Sequence, residues 1–228
     1  MARLLLYLGG TVVIAIDGPG GVGKSTVSRG VAARLDLAYL DTGSTYRAAT
    51  VAVLEAGLDV EDGDAILLLL NDHVIDYGDE GILLDGRSVA AEVRTDDVTS
   101  NVSAVSAHPS VRTRIVDMQR EWVHRHGDAA VVEGRDIGTV VFPDTPVKVF
   151  LTARSDVRAA RRAGDDEAAH IPIHEIQDKL EARDRKDSTR EASPMKPAQD
   201  AVIVDTSDLT IDEVVQEIVD LALPFVER

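Results

Sequence analysis

The chain has 228 residues, no cysteine, and 40 acidic against 24 basic side chains, for a formal charge of −16. Disulfides, thiolate metal sites and cysteine nucleophiles are therefore excluded, and so negative a chain argues against general nucleic-acid binding, which depends on neutralising many phosphates with Lys and Arg. At 44% hydrophobic and 28% charged residues, the composition is that of a soluble globular protein with room for one sizeable α/β domain and an insertion.

In chain order, Arg3 followed by the apolar run LLLYLGGTVVIAI imitates a signal peptide. Residues 4–16 are nonetheless too few to span a bilayer, which takes about 20. TVVIAID, residues 11–17, reads as a buried strand, with residues 1–10 as an extension ahead of it. The spacing then predicts a helix over 24–35, a second strand over 37–41 and a second helix over 44–56. From 59 to 109 the rhythm breaks. This stretch holds an apolar helix around AILLLL, a strand-like piece GILLDGRSV turning at Asp85-Gly86, and many Asp, Ser and Thr, and it reads as an inserted subdomain between core segments 11–58 and 110–228. Helical spacing returns over 111–124, followed by strands at 129–133 and 147–151 and a basic helix at 155–162. A polar linker, AGDDEAAH, leads to a helix at 173–183, the strand AVIV and a final amphipathic helix at 211–221. Strands alternating with helices predict βαβ units around a parallel sheet, an α/β fold. Trp122, on an amphipathic helix, reads as core, and the six histidines show no metal-ligand spacing.

The stretch IDGPGGVGKST admits two readings. Gly18, Gly20 and Gly23 spell the dinucleotide fingerprint G-x-G-x-x-G, with Asp41 at the end of the next strand as a candidate ribose ligand. Gly18 to Ser25 also spell G-x-x-x-x-G-K-S, the loop that wraps a triphosphate. Lys24 and Ser25 decide for the second. A dinucleotide turn has no chemical use for them, whereas a triphosphate site needs an ammonium at the β- and γ-phosphates and a hydroxyl for Mg²⁺. Gly18, Pro19, Gly20, Gly21, Val22, Gly23, Lys24, Ser25 and Thr26 are thus the ATP-binding candidates, with Ser25 as the metal ligand.

GTPases, motor ATPases, helicases and small-molecule kinases all carry such a loop. The chain is short and has no guanine-reading N/T-K-x-D element. RSDVRAARR places Arg154, Arg158, Arg161 and Arg162 three and four residues apart, suited to offset charge on a transferring phosphoryl group. A small-molecule kinase fits best.

Nearly the whole chain from Val12 on resembles the bacterial cytidylate kinase family, on AIDGPGGVGKST, YLDTGSTYRA, SNVSAVSAHPSVR, VVEGRDIGTVVFPD, KVFLTARSDVRAARR, RDRKDSTREASPM and DAVIVDTSDLTIDEVV. The most specific runs are Gly134 to Pro143 and Arg183 to Arg190. The resemblance implies a three-layer α/β/α P-loop core, a nucleoside-monophosphate-binding insertion at 59–109 and a small lid at about 155–170. It implies transfer of the γ-phosphoryl group of ATP to CMP or dCMP with Mg²⁺. It assigns Arg47, Arg135 and Arg190 to the acceptor phosphate and Arg158 and Arg162 to the lid. It gives the cytosine edge to Asp136, Arg112 and Ser103 and the sugar to Arg183 and Asp187. Thr42 stands where Ser is expected, also toward the sugar. Lys24, Arg135, Arg158 and Arg162 form the catalytic set. A cytoplasmic monomer acting on nucleotides, with no nucleic-acid or membrane partner, is the expectation. Two other readings stay open: a P-loop kinase of another small acceptor such as shikimate, and a regulator that binds ATP without transferring phosphate.

Overall fold

A computed structural model describes residues 12–78, 81–164 and 171–226. The expected extension at 1–10, the start of the first strand at Thr11 and linker residues 165–170 lie outside them. The chain forms two compact units, one from residues 12–40 with 126–226 and one from Asp41–Arg125.

The first unit is built on five strands, β1 (Val12–Asp17), β2 (Ala38–Asp41), β6 (Ala129–Gly134), β7 (Val147–Thr152) and β8 (Val202–Asp205), in the order β2-β6-β1-β7-β8. β1 pairs in parallel with β6 and β7, and β7 with β8. Strands covered on both faces need continuous apolar runs, and VVIAID and AAVVEG supply them: residues 13–17 and 129–134 are all buried. Helices flank this sheet. α1 (Lys24–Leu35) and α8 (Ile211–Val226) share one apolar cluster with it, Val27, Val31 and Leu35 meeting Val214, Val215, Ile218 and Val219. A Cβ on Gly30 would lie 2.8 Å from Val215, so glycine permits the close helix approach. α6 (Ser155–Ala163) and α7 (Ile173–Thr189) pack through Ala159, Ile176 and Leu180. α7 runs six residues past the expected end at 183, because ARDRKDST contains no breaker and Arg190 is the first residue to turn extended.

The second unit joins α2 (Thr42–Glu55), α3 (Gly63–Asn71), α4 (Asp96–Val105) and α5 (Pro109–Arg125) to an antiparallel sheet of β3 (Ile75–Gly78), β4 (Gly81–Leu84) and β5 (Arg87–Ser88). Asp85 and Gly86, both at positive φ, make the expected turn. The unit encloses residues 59–109 and takes in α2 and α5, whose Ala48, Ala49, Val53, Val111 and Ile115 supply much of its core. Trp122 is buried there, edge-on to Tyr77. α4 and β3 of this unit are additions to the sequence reading. α4 is made of β-branched, Ser and Asn residues with poor helical propensity. It holds because Thr95 caps it and Val98, Val102 and Val105 are buried at helical spacing. β3 is too short to show a period of its own.

Candidate active site

The glycine loop leaves β1 and enters α1 with three glycines at positive φ: Gly18 at 149°, Gly21 at 77° and Gly23 at 90°. At Gly18 a Cβ would sit 2.4 Å from the Leu151 carbonyl oxygen of β7, so no other residue fits between the strands. Gly20 lies under the Leu180 side chain of α7, whose Cδ2 a Cβ would meet at 2.9 Å, and Gly21 sits against the Arg158 backbone of α6 with room only for hydrogen. The loop therefore opens onto the first turn of α1, whose unpaired N–H groups favour an anion. Ser25 and Thr26 are exposed there, and Val22 is buried beneath.

Lys24 curls back over this loop and donates to the Pro19 carbonyl at 2.7 Å. Burial, and then the Arg135 guanidinium, lower its pKa to about 7, with Arg183 adding to the effect and Glu133 and Asp17 opposing it. Glu133, at the end of β6, is 2% exposed and accepts a short hydrogen bond from the Tyr39 hydroxyl.

The G-R-D-I-G motif follows β6 directly. Arg135 donates to the Gly18 carbonyl at 2.7 Å and to the Asp187 carboxylate at 3.0 Å. Asp187, on α7, also lies 3.8 Å from Arg190, and Arg190 lies 3.6 Å from buried Asp136. Arg135, Asp136, Asp187 and Arg190 thus come together as alternating charges beside the glycine loop. Charges so placed hold one another's rotamers, and planar guanidinium forks held in this way match the geometry of a phosphate. Arg183 lies one turn before Asp187 on the same helix.

Of the α6 arginines, Arg158 is buried, donates to the Gly20 carbonyl at 3.1 Å, and makes a short ion pair with Asp184 of α7. The same Asp184 carboxylate accepts the Gly20 N–H at 3.2 Å. Arg161 donates to the Thr206 hydroxyl and carbonyl at 2.8 and 2.6 Å, and Arg154 makes a two-pronged pair with Asp208. Arg162 is half-buried on the last turn of α6.

The remaining candidates belong to the second unit. Thr42 is buried at the start of α2. Arg47 donates to the Val93 carbonyl and the Thr99 hydroxyl, both at 2.9 Å. Arg112 is 4% exposed, lies over the Tyr46 ring at 5.1 Å and donates to the Ser106 carbonyl at 3.2 Å. Ser106 in turn donates to the Ser103 carbonyl at 3.3 Å, which brings Ser103 and Arg112 to one end of α4. Asp41, the acid that a dinucleotide reading would send to a ribose, instead caps α2 by accepting from the Ser44 N–H and hydroxyl.

Sequence reasoning passed over Asp17, Asp184 and Glu133. For Asp17 and Glu133 a signal existed, an acid closing a fully buried strand, since such a charge needs a partner. For Asp184 there was none, because one acid in a helix rich in acids and bases does not stand out.

A parallel sheet whose first strand feeds a lysine-bearing glycine loop into a helix defines a P-loop nucleotide-binding protein. A crystal structure of a Thermus thermophilus protein shares the fold at a TM-score of 0.50, with 17% identity over 94% of this chain and 97% of that one. The cytidylate kinase family profile matches residues 14–223. A cytidylate kinase of Streptomyces avermitilis is 48% identical over 92% of each chain, and one of Mycobacterium avium is 49% identical over 92% of this chain and 94% of its own. The chain belongs to the cytidylate kinase family.

Proposed function

We propose that the chain acts as its relatives are named, transferring the γ-phosphoryl group of ATP to CMP and dCMP to give CDP, dCDP and ADP. One observation carries the residue assignment: Arg135 donates to the Gly18 carbonyl at 2.7 Å, joining the motif expected to hold the acceptor to the loop expected to hold the donor.

The attacking atom is an oxygen of the CMP phosphate, whose second pKa near 6 leaves it mostly ionised at neutral pH. No general base is needed. The difficulty is bringing two anions into line, which is work for fixed positive charge. Arg47, Arg135 and Arg190 hold the acceptor phosphate, Lys24 meets the β- and γ-phosphates, and Arg158 and Arg162 neutralise the transferring group from the lid at 155–170. Ser25 offers a hard oxygen on the first turn of α1, which fits Mg²⁺ held by one protein hydroxyl, phosphate oxygens and water. Bound there, the ion would draw charge from the β- and γ-oxygens.

Asp136 accepts from the cytosine amino group while Arg112 and Ser103 donate to its N3 and O2, with Arg183, Asp187 and Thr42 on the sugar and residues 59–109 as the acceptor insertion. Uracil would turn a carbonyl toward Asp136 and oppose two acceptors, at a cost of about 1 to 3 kcal/mol. Action as a cytoplasmic monomer belongs to the same reading. Among the described residues no helix is long and apolar enough to cross a membrane.

ADP release with ATP, Mg²⁺ and CMP, dCMP, UMP, AMP, GMP or shikimate offered singly tests the reading. Preference for CMP and dCMP supports it. Turnover on another acceptor keeps the kinase and discards the base assignment, and ATP binding without turnover on any acceptor replaces the kinase with a regulator.

A further inference from the structure

Asp17 closes β1, is 5% exposed, and pairs across the sheet with Gly134, the residue before Arg135 and Asp136. One carboxylate oxygen accepts the Ile137 N–H and the other the Gly138 N–H, each at 2.9 Å. These are the first two donors of a wide helical turn, Ile137–Val141, that opens at Asp136. The Asp136 carbonyl receives the Val140 and Val141 N–H groups at 2.9 and 3.2 Å, and the Ile137 carbonyl receives that of Phe142 at 2.7 Å. A turn of this pitch is rare and tends to sit at functional sites. Its cap comes from a residue 120 positions earlier in the chain. Ile137 is fully buried and a Cβ on Gly138 would press on Lys148 at 3.2 Å, so the turn has little room to shift.

From this geometry we infer that Asp17 is a positioning residue for acceptor recognition: by gripping both leading amides of the 137–141 turn, it sets where Arg135 and Asp136 stand and so sharpens the choice of cytosine over uracil. The inference rests on the reading of Asp136 as the contact to the cytosine amino group. Burial pushes the Asp17 pKa up to about 6, Asp136 adding to the rise and the two amides and Lys24 opposing it, so at pH 7.5 both oxygens remain acceptors. An amide in its place would keep one acceptor and turn an NH₂ toward the other N–H, opposing two donors in a buried site.

The test compares the wild-type chain with Asp17→Asn and Asp136→Ala at pH 7.5, measuring kcat and KM for CMP and UMP and the Kd of ATP by calorimetry. For Asp17→Asn the expected result is a CMP KM raised about tenfold, a CMP-over-UMP ratio in kcat/KM lowered at least about fivefold, and an ATP Kd within about threefold of wild type. General loosening of the fold would instead weaken ATP and both acceptors together and leave the ratio unmoved, which overturns the inference. Collapse of the ratio in Asp136→Ala with none in Asp17→Asn overturns the inference alone. An intact ratio in both overturns the base reading and the inference with it. Should Asp17→Asn fail to fold, amide exchange in the wild-type protein decides. Ile137 and Gly138 N–H groups protected at least about a hundredfold support the grip, and rapid exchange at both overturns it.

Discussion

On the proposed assignment of Lys24 to the β- and γ-phosphates, ATP binding is expected to be a proton-linked event. In the unliganded protein, burial and the neighbouring Arg135 bring its pKa down to about 7. A triphosphate bound as proposed would face the same nitrogen with negative charge and restore the ammonium. The depressed pKa belongs to the free enzyme and the raised one to the complex, so above pH 7 binding must draw a proton from solution. With a pKa of about 7, Lys24 is about nine-tenths neutral at pH 8, and uptake should approach about 0.9 proton per ATP. Only the protonated fraction meets the phosphate, so affinity should fall about fivefold from pH 7 to 8 and about tenfold from pH 8 to 9. Asp17, at about 6, and the triphosphate are already deprotonated in that range and contribute nothing to the uptake. Titration calorimetry of MgATP binding at pH 8, in buffers of different ionisation enthalpy, reads the number of protons directly. Uptake below about 0.2 with flat affinity from pH 7 to 9 would refute the reasoning, as would undiminished uptake in Lys24→Met.

Lys24→Met itself should lower kcat at least about a hundredfold with the circular dichroism of the folded chain preserved, because preorganised charge at a transferring phosphate is worth several kcal/mol; unchanged turnover would remove Lys24 from the mechanism. Gly18→Ala combines a φ of 149° with a Cβ 2.4 Å from a backbone carbonyl. It should cost at least about 3 kcal/mol in denaturant unfolding, and a loss under about 1 kcal/mol would mean that the strands give way there. Asp184→Ala removes the carboxylate that occupies the Gly20 N–H and Arg158. ATP should then bind about fivefold more tightly by calorimetry, since a like charge beside the triphosphate is gone; weaker binding would make Asp184 a support of the loop rather than a rival of the phosphate.

Local pattern determined a great deal of this protein. The strand, the glycine loop and α1 are legible because β-branched burial, residues free of Cβ and an amphipathic period are properties of consecutive residues. Lys24 and Ser25 separate the triphosphate loop from the dinucleotide fingerprint by residue type alone, and the Gly134 to Pro143 run carries the resemblance to the family, which the profile over 14–223 bears out. What only tertiary structure decided are pairings between residues far apart in sequence. α4, poor in helical propensity, exists because Val98, Val102 and Val105 find a core. Arg135 meets Gly18 and Asp187, 117 and 52 positions away, and Asp184 meets Gly20 across 164. Asp17 reads in sequence as the last residue of a strand, yet it caps a turn 120 residues on. A buried charge must find its donors wherever the fold brings them, and no periodicity in the chain records which residues those will be.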